Sequence, residues 1–236
     1  MLCGFAGIGK LRKVMGCAFG MKATQLAKVA LFVCTGAQLL AQATPSSAPT
    51  KVAAATQPWQ YNLTIDGYIV PHGTSYVDPV LTADHNRLHL EGRYNYENLH
   101  TASLWIGYNF SVGKTMSLSV TPMIGGVFGR TNGIAPGCEA SLIYKKIEAS
   151  ISNEYVFDTG SKAGNFYYAW PQLTFSPVAW FRVGAVAQHT KAYHTPLNIQ
   201  RGFLVGFSRK QWEFTTYVFN PELDEPTLVL EVGVSF

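Results

Sequence analysis

The stretch that decides the fold is ASLWIGYNFSV, residues 102–112. Its even-numbered positions are all apolar, whereas its odd-numbered positions carry Ser, Trp, Gly, Asn and Ser. Successive side chains of a β-strand point to opposite faces, so this period of two predicts a strand with one apolar and one mostly polar face. No window after Trp59 keeps the spacing of an amphipathic helix, and we therefore expect an all-β fold.

Nine further segments alternate in the same way. In RLHLEGRYNY, residues 87–96, leucines and tyrosines fall on one face and charged side chains on the other. Most segments are close to the ~9–11 residues that a tilted transmembrane strand requires. The pair Gly125-Gly126 predicts a bulge or bend in its strand. The ten predicted strands cover 87–96, 102–112, 116–128, 139–144, 147–157, 166–175, 179–188, 200–208, 212–219 and 227–236.

The two faces favour a membrane barrel over a soluble β-sandwich. A sandwich would carry Lys, Glu and Thr on its outer face, but here the polar face is mainly Ser, Asn and Gly, and the apolar face is rich in Tyr and Phe. Aromatic rings at both ends of an apolar band are typical of the interfacial girdles of a transmembrane barrel. The sequence therefore predicts an antiparallel, up-and-down transmembrane β-barrel. The candidate girdle residues are Tyr94, Tyr96, Phe128, Tyr155, Phe157, Tyr167, Tyr168, Phe175 and Phe236.

The lengths of the connections agree with this architecture. Outer-membrane barrels have short periplasmic turns and longer extracellular loops. If the last strand ends in the periplasm, every short link of this chain falls on the periplasmic side. The short links are 113–115, 145–146, 176–178 and 209–211, and the longer ones are 97–101, 129–138, 158–165, 189–199 and 220–226.

The number of strands is ten or twelve, both of which satisfy the even count of bacterial single-chain barrels. Residues 59–66 alternate as a strand, and Asp66-Gly67 is a hairpin signal. Residues 68–77 could form the second, antiparallel strand of this hairpin. Pro71 and Gly73 weaken this second strand. The sequence favours twelve strands; in the alternative, residues 59–86 fold into the lumen or the periplasm of a ten-stranded barrel.

The charge of the chain is concentrated at its N-terminus. The 236 residues carry a formal net charge of +4, and only 14% of them are charged. Residues 1–43 hold five basic residues and no acid, so the remaining chain has 13 basic and 14 acidic side chains and a balance of −1. Composition therefore gives no argument for nucleic-acid binding.

The same N-terminal segment reads as a secretory signal peptide. From Met21 it has a basic start, an apolar run at 29–40 that is too short to span a bilayer as a helix, and the cleavage motif Ala41-Gln42-Ala43. We expect cleavage after Ala43, with either Met1 or Met21 as the start. The predicted organisation is an extension and signal at 1–43, a flexible tether at 44–58 and a barrel at 59–236.

The last strand carries a family resemblance. Leu228, Leu230, Val232, Val234 and Phe236 alternate and end the chain on an aromatic residue. An exported chain with this ending resembles bacterial outer-membrane β-barrel proteins, in which the final strand is the assembly signal. The resemblance implies location in the bacterial outer membrane and contact with its lipid. It also implies escort by periplasmic chaperones and insertion by the barrel-assembly machinery.

The charged residues on the polar face are expected to line the lumen. Two interpretations remain open: a narrow hydrated pore with a charged constriction, or mutual salt bridges that close the interior. The candidate lumen-lining residues are Arg87, His89, Glu91, Arg93, Glu139, Glu148, Glu154, Arg182 and Glu231.

The leading hypothesis is a passive pore for small polar solutes that is not an enzyme. One alternative is a closed structural or surface-binding barrel that uses the loops at 129–138 and 189–199. Another is a lipid-modifying hydrolase, for which His189 lies near a strand end, but no serine stands at a defined spacing from it. No clustered Cys or His residues predict a metal or another cofactor.

Overall fold

The computed structural model describes residues 58–71, 73–189, 199–223 and 226–236. The predictions for the signal peptide, its cleavage site and residues 44–57 lie outside these residues. None of the helices in the described part is long and apolar enough to cross a membrane. The strands are β1 (Gln60–Ile69), β2 (Tyr76–His85), β3 (Leu88–Tyr94), β4 (Thr101–Tyr108 and Phe110–Val112), β5 (Met116–Gly129), β6 (Gly133–Tyr144), β7 (Ile147–Asp158), β8 (Phe166–Val178), β9 (Phe181–His189), β10 (Ile199–Arg209), β11 (Trp212–Phe219) and β12 (Thr227–Ser235).

The described strands form one closed antiparallel sheet. Each strand pairs with its neighbours in sequence, and β1 pairs with β12 to close the ring, with Ile65 opposite Val232. Both segments of β4 pair with β5 in one register and count as one strand, interrupted at Asn109. The prediction of a twelve-stranded up-and-down barrel is therefore confirmed. Closure leaves no unpaired sheet edge, as a lipid environment requires.

The predicted turn at Asp66-Gly67 is wrong, although the hairpin exists. Gly67 lies within β1 and pairs with Val77 on one side and Leu230 on the other. The chain reverses at 70–75 instead, where the amide of Gly73 donates to the carbonyl of Val70 (3.2 Å). The alternation of β1 runs unbroken through Asp66-Gly67, and pairing on both sides outweighs the local turn preference. Pro71 and Gly73 form the turn instead of weakening a strand.

Two predictions for glycine-containing segments also need correction. The predicted link at 129–138 shrinks to 130–132, because β6 begins at Gly133. Glycines in this stretch carry no side chain to show the alternation. Gly125-Gly126 is not a bulge: Gly125 pairs with Trp105 and Gly126 with Ile134 in regular register.

The connections divide the barrel into two ends. At one end, which we call the turn end, four links have two residues (86–87, 145–146, 179–180 and 210–211) and one has three (113–115). Asn86, Lys145 and Lys210 have φ of 56°, 55° and 56°, the left-handed conformation that two-residue hairpins favour. The opposite end, the loop end, carries the links 70–75, 95–100, 130–132, 159–165, 190–198 and 220–226, partly outside the described residues.

The outer surface is an apolar band between two aromatic belts. Leu104 and Ile124 in the middle of the band are 67% and 54% exposed, which fits a surface solvated by lipid. Tyr96 and Tyr168 were predicted to join a belt, but they turn inward, with ring centroids 5.1 Å apart, because Tyr168 follows the outward Tyr167 in β8. The belts contain Tyr61, Trp180, Trp212 and Phe236 at the turn end, and Tyr94, Phe128, Tyr155, Phe157 and Tyr167 at the loop end.

Candidate functional site: the barrel interior

The half of the interior nearest the turn end is open and polar. It contains two cavities of about 290 and 270 Å³, which share Ser150 and Gln172 in their walls. We call this region the polar vestibule. The small side chains at its inward positions leave the space free. Its remaining polar lining comprises Ser119, Thr121, Glu139, Ser141 and Ser152 in the first cavity, and Asn62, Thr64, Glu148, Thr174, Arg182, Glu213, Tyr217 and Glu231 in the second.

Further towards the loop end, packed side chains fill the interior. The ring of Trp170 in β8 meets Tyr217 and Phe219 in β11 edge-on, at centroid distances of 5.3 and 5.2 Å. Since β8 and β11 are not neighbours in the sheet, these contacts cross the lumen. Phe219 and Tyr217 are 0% and 1% exposed. The polar vestibule therefore ends at an aromatic layer.

A buried charge cluster lies at this level. Arg93 in β3 donates from Nε and Nη2 to the two carboxylate oxygens of Glu91 (2.8 and 2.9 Å) and from Nη1 to Glu154 in β7 (2.7 Å). Its guanidinium lies 4.2 and 4.5 Å from the ring centroids of Tyr96 and Trp105. The contact with Glu154 spans non-adjacent strands. We call these five residues, together with Glu97, the Arg93 cluster.

Trp105 is held in place beneath Arg93 by its neighbours. Its indole Nε1 donates to Ser103 Oγ (2.9 Å), and that hydroxyl donates to Glu97 (2.5 Å). The ring lies against Gly125 and Gly137, where a Cβ would come within 2.4 and 3.0 Å of ring atoms. These two glycines therefore make room for the indole at the barrel wall.

The Arg93 cluster contains more acidic than basic side chains. Glu97, which is 1% exposed, lies 3.8 Å from Arg93, so one guanidinium faces three carboxylates. Oε2 of Glu97 and Oε1 of Glu154 are buried without a hydrogen-bond partner. Burial of charge is tolerable only with close pairing, and Arg93 supplies that pairing for the whole cluster.

A polar chain links this cluster to the vestibule. His89 lies between Asp84 and Glu91, with its Nδ1 2.9 Å from Asp84 and its Nε2 3.5 Å from Glu91. Asn109 Nδ2 donates to the same Asp84 oxygen (2.6 Å), and Thr121 donates to Asn109 (2.7 Å). Polar groups thus run continuously from the vestibule wall to Arg93.

A second cluster lies inside the vestibule. Arg182 Nη2 is 2.5 Å from Glu213 and 3.4 Å from Glu231, and it donates to the hydroxyl of Thr215 (2.7 Å). Tyr217 also donates to Glu231 (2.9 Å). The side chain of Arg182 is 25% exposed, so this Arg182 cluster is in contact with the open space.

Eight of the nine candidate lumen residues lie on the inner side. Arg93, Glu91 and Glu154 meet in the Arg93 cluster, and Arg182 and Glu231 meet in the Arg182 cluster. Arg87 does not join them: it lies exposed in the β2–β3 turn and donates to the hydroxyl of Tyr108 (3.0 Å) on the outer face. The remaining three are distributed as follows: His89 lies in the polar chain, and Glu139 and Glu148 line the vestibule.

The sequence reasoning missed five inward carboxylates; one of them, Asp84, lies past the end of the predicted return strand at 68–77. Glu213 shares its face with Thr215 and Tyr217, so alternation could have found it. Asp66 and Asp78 were hidden by the turn placed at Asp66-Gly67. Glu97 lies in the β3–β4 loop, where no periodic signal exists.

His189, the residue considered for catalysis, packs against Tyr167 in β8. His189 Nδ1 is 3.0 Å from the carbonyl of Tyr167, and the two rings pack at 5.6 Å. Within the described ranges, no group of three or more His, Cys, Asp or Glu side chains has the arrangement of a metal site. Cys138 is a free thiol.

An apolar exterior, a closed twelve-stranded sheet and a polar interior define an outer-membrane-type β-barrel. Among solved structures, the chain resembles the KdgM porin, with a TM-score of 0.52 and 13% identity over 75% of this chain and 99% of that chain. It also resembles the KdgM porin in complex with disordered oligogalacturonate, with a TM-score of 0.51, 12% identity and the same coverage. No family model and no curated protein matches the sequence. The likeness establishes the β-barrel fold that this chain shares with the matched porin.

Proposed function

We propose that this protein is a narrow passive pore for small polar solutes in the bacterial outer membrane. The observation that carries the proposal is the polar vestibule, whose cavities of about 290 and 270 Å³ lead to the Arg93 cluster. A sealed structural barrel needs no such space. The porin fold supports the proposal, but the oligogalacturonate belongs to the matched porin and is not carried over at 12% identity.

The vestibule and the aromatic layer have different roles in such a pore. Serine, threonine and glutamine side chains in the vestibule offer hydrogen bonds that replace part of a solute's hydration. Trp170, Tyr217 and the Arg93 cluster pack across the lumen in the section beyond the vestibule. Because their side chains fill that section, passage depends on side-chain rotation, and we expect a small rate and a low size limit.

Liposome swelling with neutral sugars tests this proposal. Trp170→Ala removes an inward ring of the aromatic layer and should raise both the rate and the size limit of swelling. Trp180→Ala is the matched control, because Trp180 is 59% exposed on the outer belt and should leave both unchanged. Absence of swelling in the wild-type protein would contradict the pore.

A closed structural or surface-binding barrel is the second candidate. The full burial of Phe219 and Val229, both 0% exposed, favours it, because packed side chains seal the interior at their level. This candidate predicts no swelling in the wild-type protein. It also relies on binding by external loops; of the two proposed, 129–138 is reduced to 130–132, and 190–198 lies outside the described residues.

We further propose that the turn end faces the periplasm and that β12 is the signal read by the barrel-assembly machinery after chaperone escort. The outward side of β12, which includes Leu230 and Val232, is exposed to the lipid. The end of the chain also closes the ring: Phe236 and Tyr61 exchange two backbone hydrogen bonds of 2.9 Å, and their rings stack at 5.7 Å. A terminal strand that is both exposed and required for closure suits an assembly signal.

A further inference from the structure

The described interior contains far more acidic than basic side chains. Ten carboxylates lie on its inner side, against two guanidinium groups and the ring of His89. The other described Lys and Arg residues lie in turns, loops or outward positions. We propose that the pore selects cations and that its solutes are small cationic or neutral polar molecules, not anions. The ten carboxylates are Asp66, Asp78, Asp84, Glu91, Glu97, Glu139, Glu148, Glu154, Glu213 and Glu231.

Three of these carboxylates form a row in which Glu231 pairs with Arg182 (3.4 Å), whereas neither aspartate forms an ion pair with another described residue. Asp66 in β1 is directly opposite Asp78 in β2 and Glu231 in β12. Like charges directly opposite each other on neighbouring strands are destabilising. Asp78 is 2% exposed, and Oδ1 of both aspartates is buried without a hydrogen-bond partner. A passing cation would supply the positive charge that the two aspartates lack among the described residues.

The two arginines do not offset the excess. Arg93 is surrounded by three glutamates, and Arg182 by Glu213 and Glu231. Arg93 directs its donors at Glu91 and Glu154, and Nη2 of Arg182 contacts Glu213, Glu231 and the hydroxyl of Thr215, so acidic side chains engage both guanidinium groups. The Arg93 and Arg182 clusters each remain net negative when their carboxylates are ionised.

A narrow, low-dielectric lumen strengthens the effect of this excess. Fixed charges of one sign in a cleft concentrate ions of the opposite sign and exclude those of the same sign, and rings of Asp and Glu select cations in channels. The acidic row reaches the vestibule through Glu231, which lines the same cavity as Glu148 and Glu213. The excess therefore acts on ions both in the vestibule and at the aromatic layer.

The inference rests on the proposed pore. A measurement of the reversal potential distinguishes a failure of cation selection from a failure of the pore itself. The refolded protein is placed in a planar bilayer under a gradient of potassium chloride, and the voltage of zero current is recorded. A reversal potential of the sign set by potassium supports cation selection. A conducting channel whose reversal potential is near zero, or of the sign set by chloride, overturns the inference but leaves the pore. A silent protein overturns the pore and the selectivity with it.

A double variant and its control test whether the vestibule carboxylates cause the cation selection. Glu148→Gln combined with Glu213→Gln removes two vestibule carboxylates and should shift the reversal potential towards zero. Glu222→Gln is the control, because Glu222 is exposed in the β11–β12 loop. An equal shift in the control, or no shift in the double variant, would contradict selection by the lumen. Retained conductance shows that each variant has folded.

Discussion

Arg93 is the residue on which most of the buried charge depends. Arg93→Gln leaves Glu97 and Glu154 buried without a counter-charge and Glu91 with only His89, whose Nε2 is 3.5 Å away. Loss of one partner of a buried pair costs about 3–5 kcal/mol. We expect a loss of this size in urea unfolding of the refolded protein in lipid vesicles, followed by tryptophan fluorescence.

Two comparisons sharpen this prediction. Arg182→Gln should cost less, because Arg182 and its partner Glu213 are 25% and 39% exposed and water replaces part of the lost interaction. Adding Glu154→Gln to Arg93→Gln should recover part of the loss, since one unpaired charge is removed. Equal losses for the two arginine variants would contradict the assignment of Arg93 to a buried cluster.

Substitution of Gly125 tests how closely Trp105 is packed. In Gly125→Ala, the new methyl group would lie 2.4 Å from the indole, so the ring must move. Overpacking of this kind costs about 1–3 kcal/mol. Gly233→Ala is the matched control, because its methyl group would meet no atom closer than 3.6 Å. The free energy of unfolding should fall in the first variant and stay nearly unchanged in the second; a similar effect in both would count against close packing at Trp105.

Among the elements, β12 combines a structural and a proposed signalling role. Phe236→Ala should lower the amount of barrel assembled in the outer membrane, measured in cells as the heat-modifiable band on an unboiled gel. Phe157→Ala removes another outward aromatic residue, 51% exposed against 68% for Phe236, at the opposite end of the barrel. Normal levels of the Phe236 variant, or an equal decrease in the Phe157 variant, would contradict the assembly signal.

The elements also show which sequence signals carried structural information. Alternation located ten of the strands, because an apolar outer surface on one side and a polar lumen on the other impose a period of two. It failed where side chains are missing, as at Gly133 and Gly137 in β6, and where a local turn signal at Asp66-Gly67 competed with pairing on both sides.

The composition of the interior was harder to predict than the fold. Alternation assigns a residue to a face, and it placed Arg93 and Glu154 inward. It does not show that β3 and β7 approach each other across the lumen, since that distance depends on strand number and tilt. The ion pairs, the position of Trp105 and the acidic row in β1, β2 and β12 therefore required the three-dimensional structure.

For the whole molecule, the low proportion of charged residues is explained by the large apolar outer surface. The outer band between the aromatic belts is apolar and exposed, whereas the interior keeps both signs with acids in excess. The chain with residues 1–43 removed would carry a balance of −1, so its total charge gives little indication of the acidity of its lumen. In the proposed pore, the distribution of charge, and not its sum, decides which solutes pass.

Planar-bilayer recording of the refolded wild-type protein tests the central claim most directly, because only an open lumen conducts ions. We predict discrete conductance steps that are small for a porin, since the aromatic layer narrows the path beyond the vestibule. A folded barrel, verified by its heat-modifiable mobility, that shows no conductance at any voltage would contradict the account.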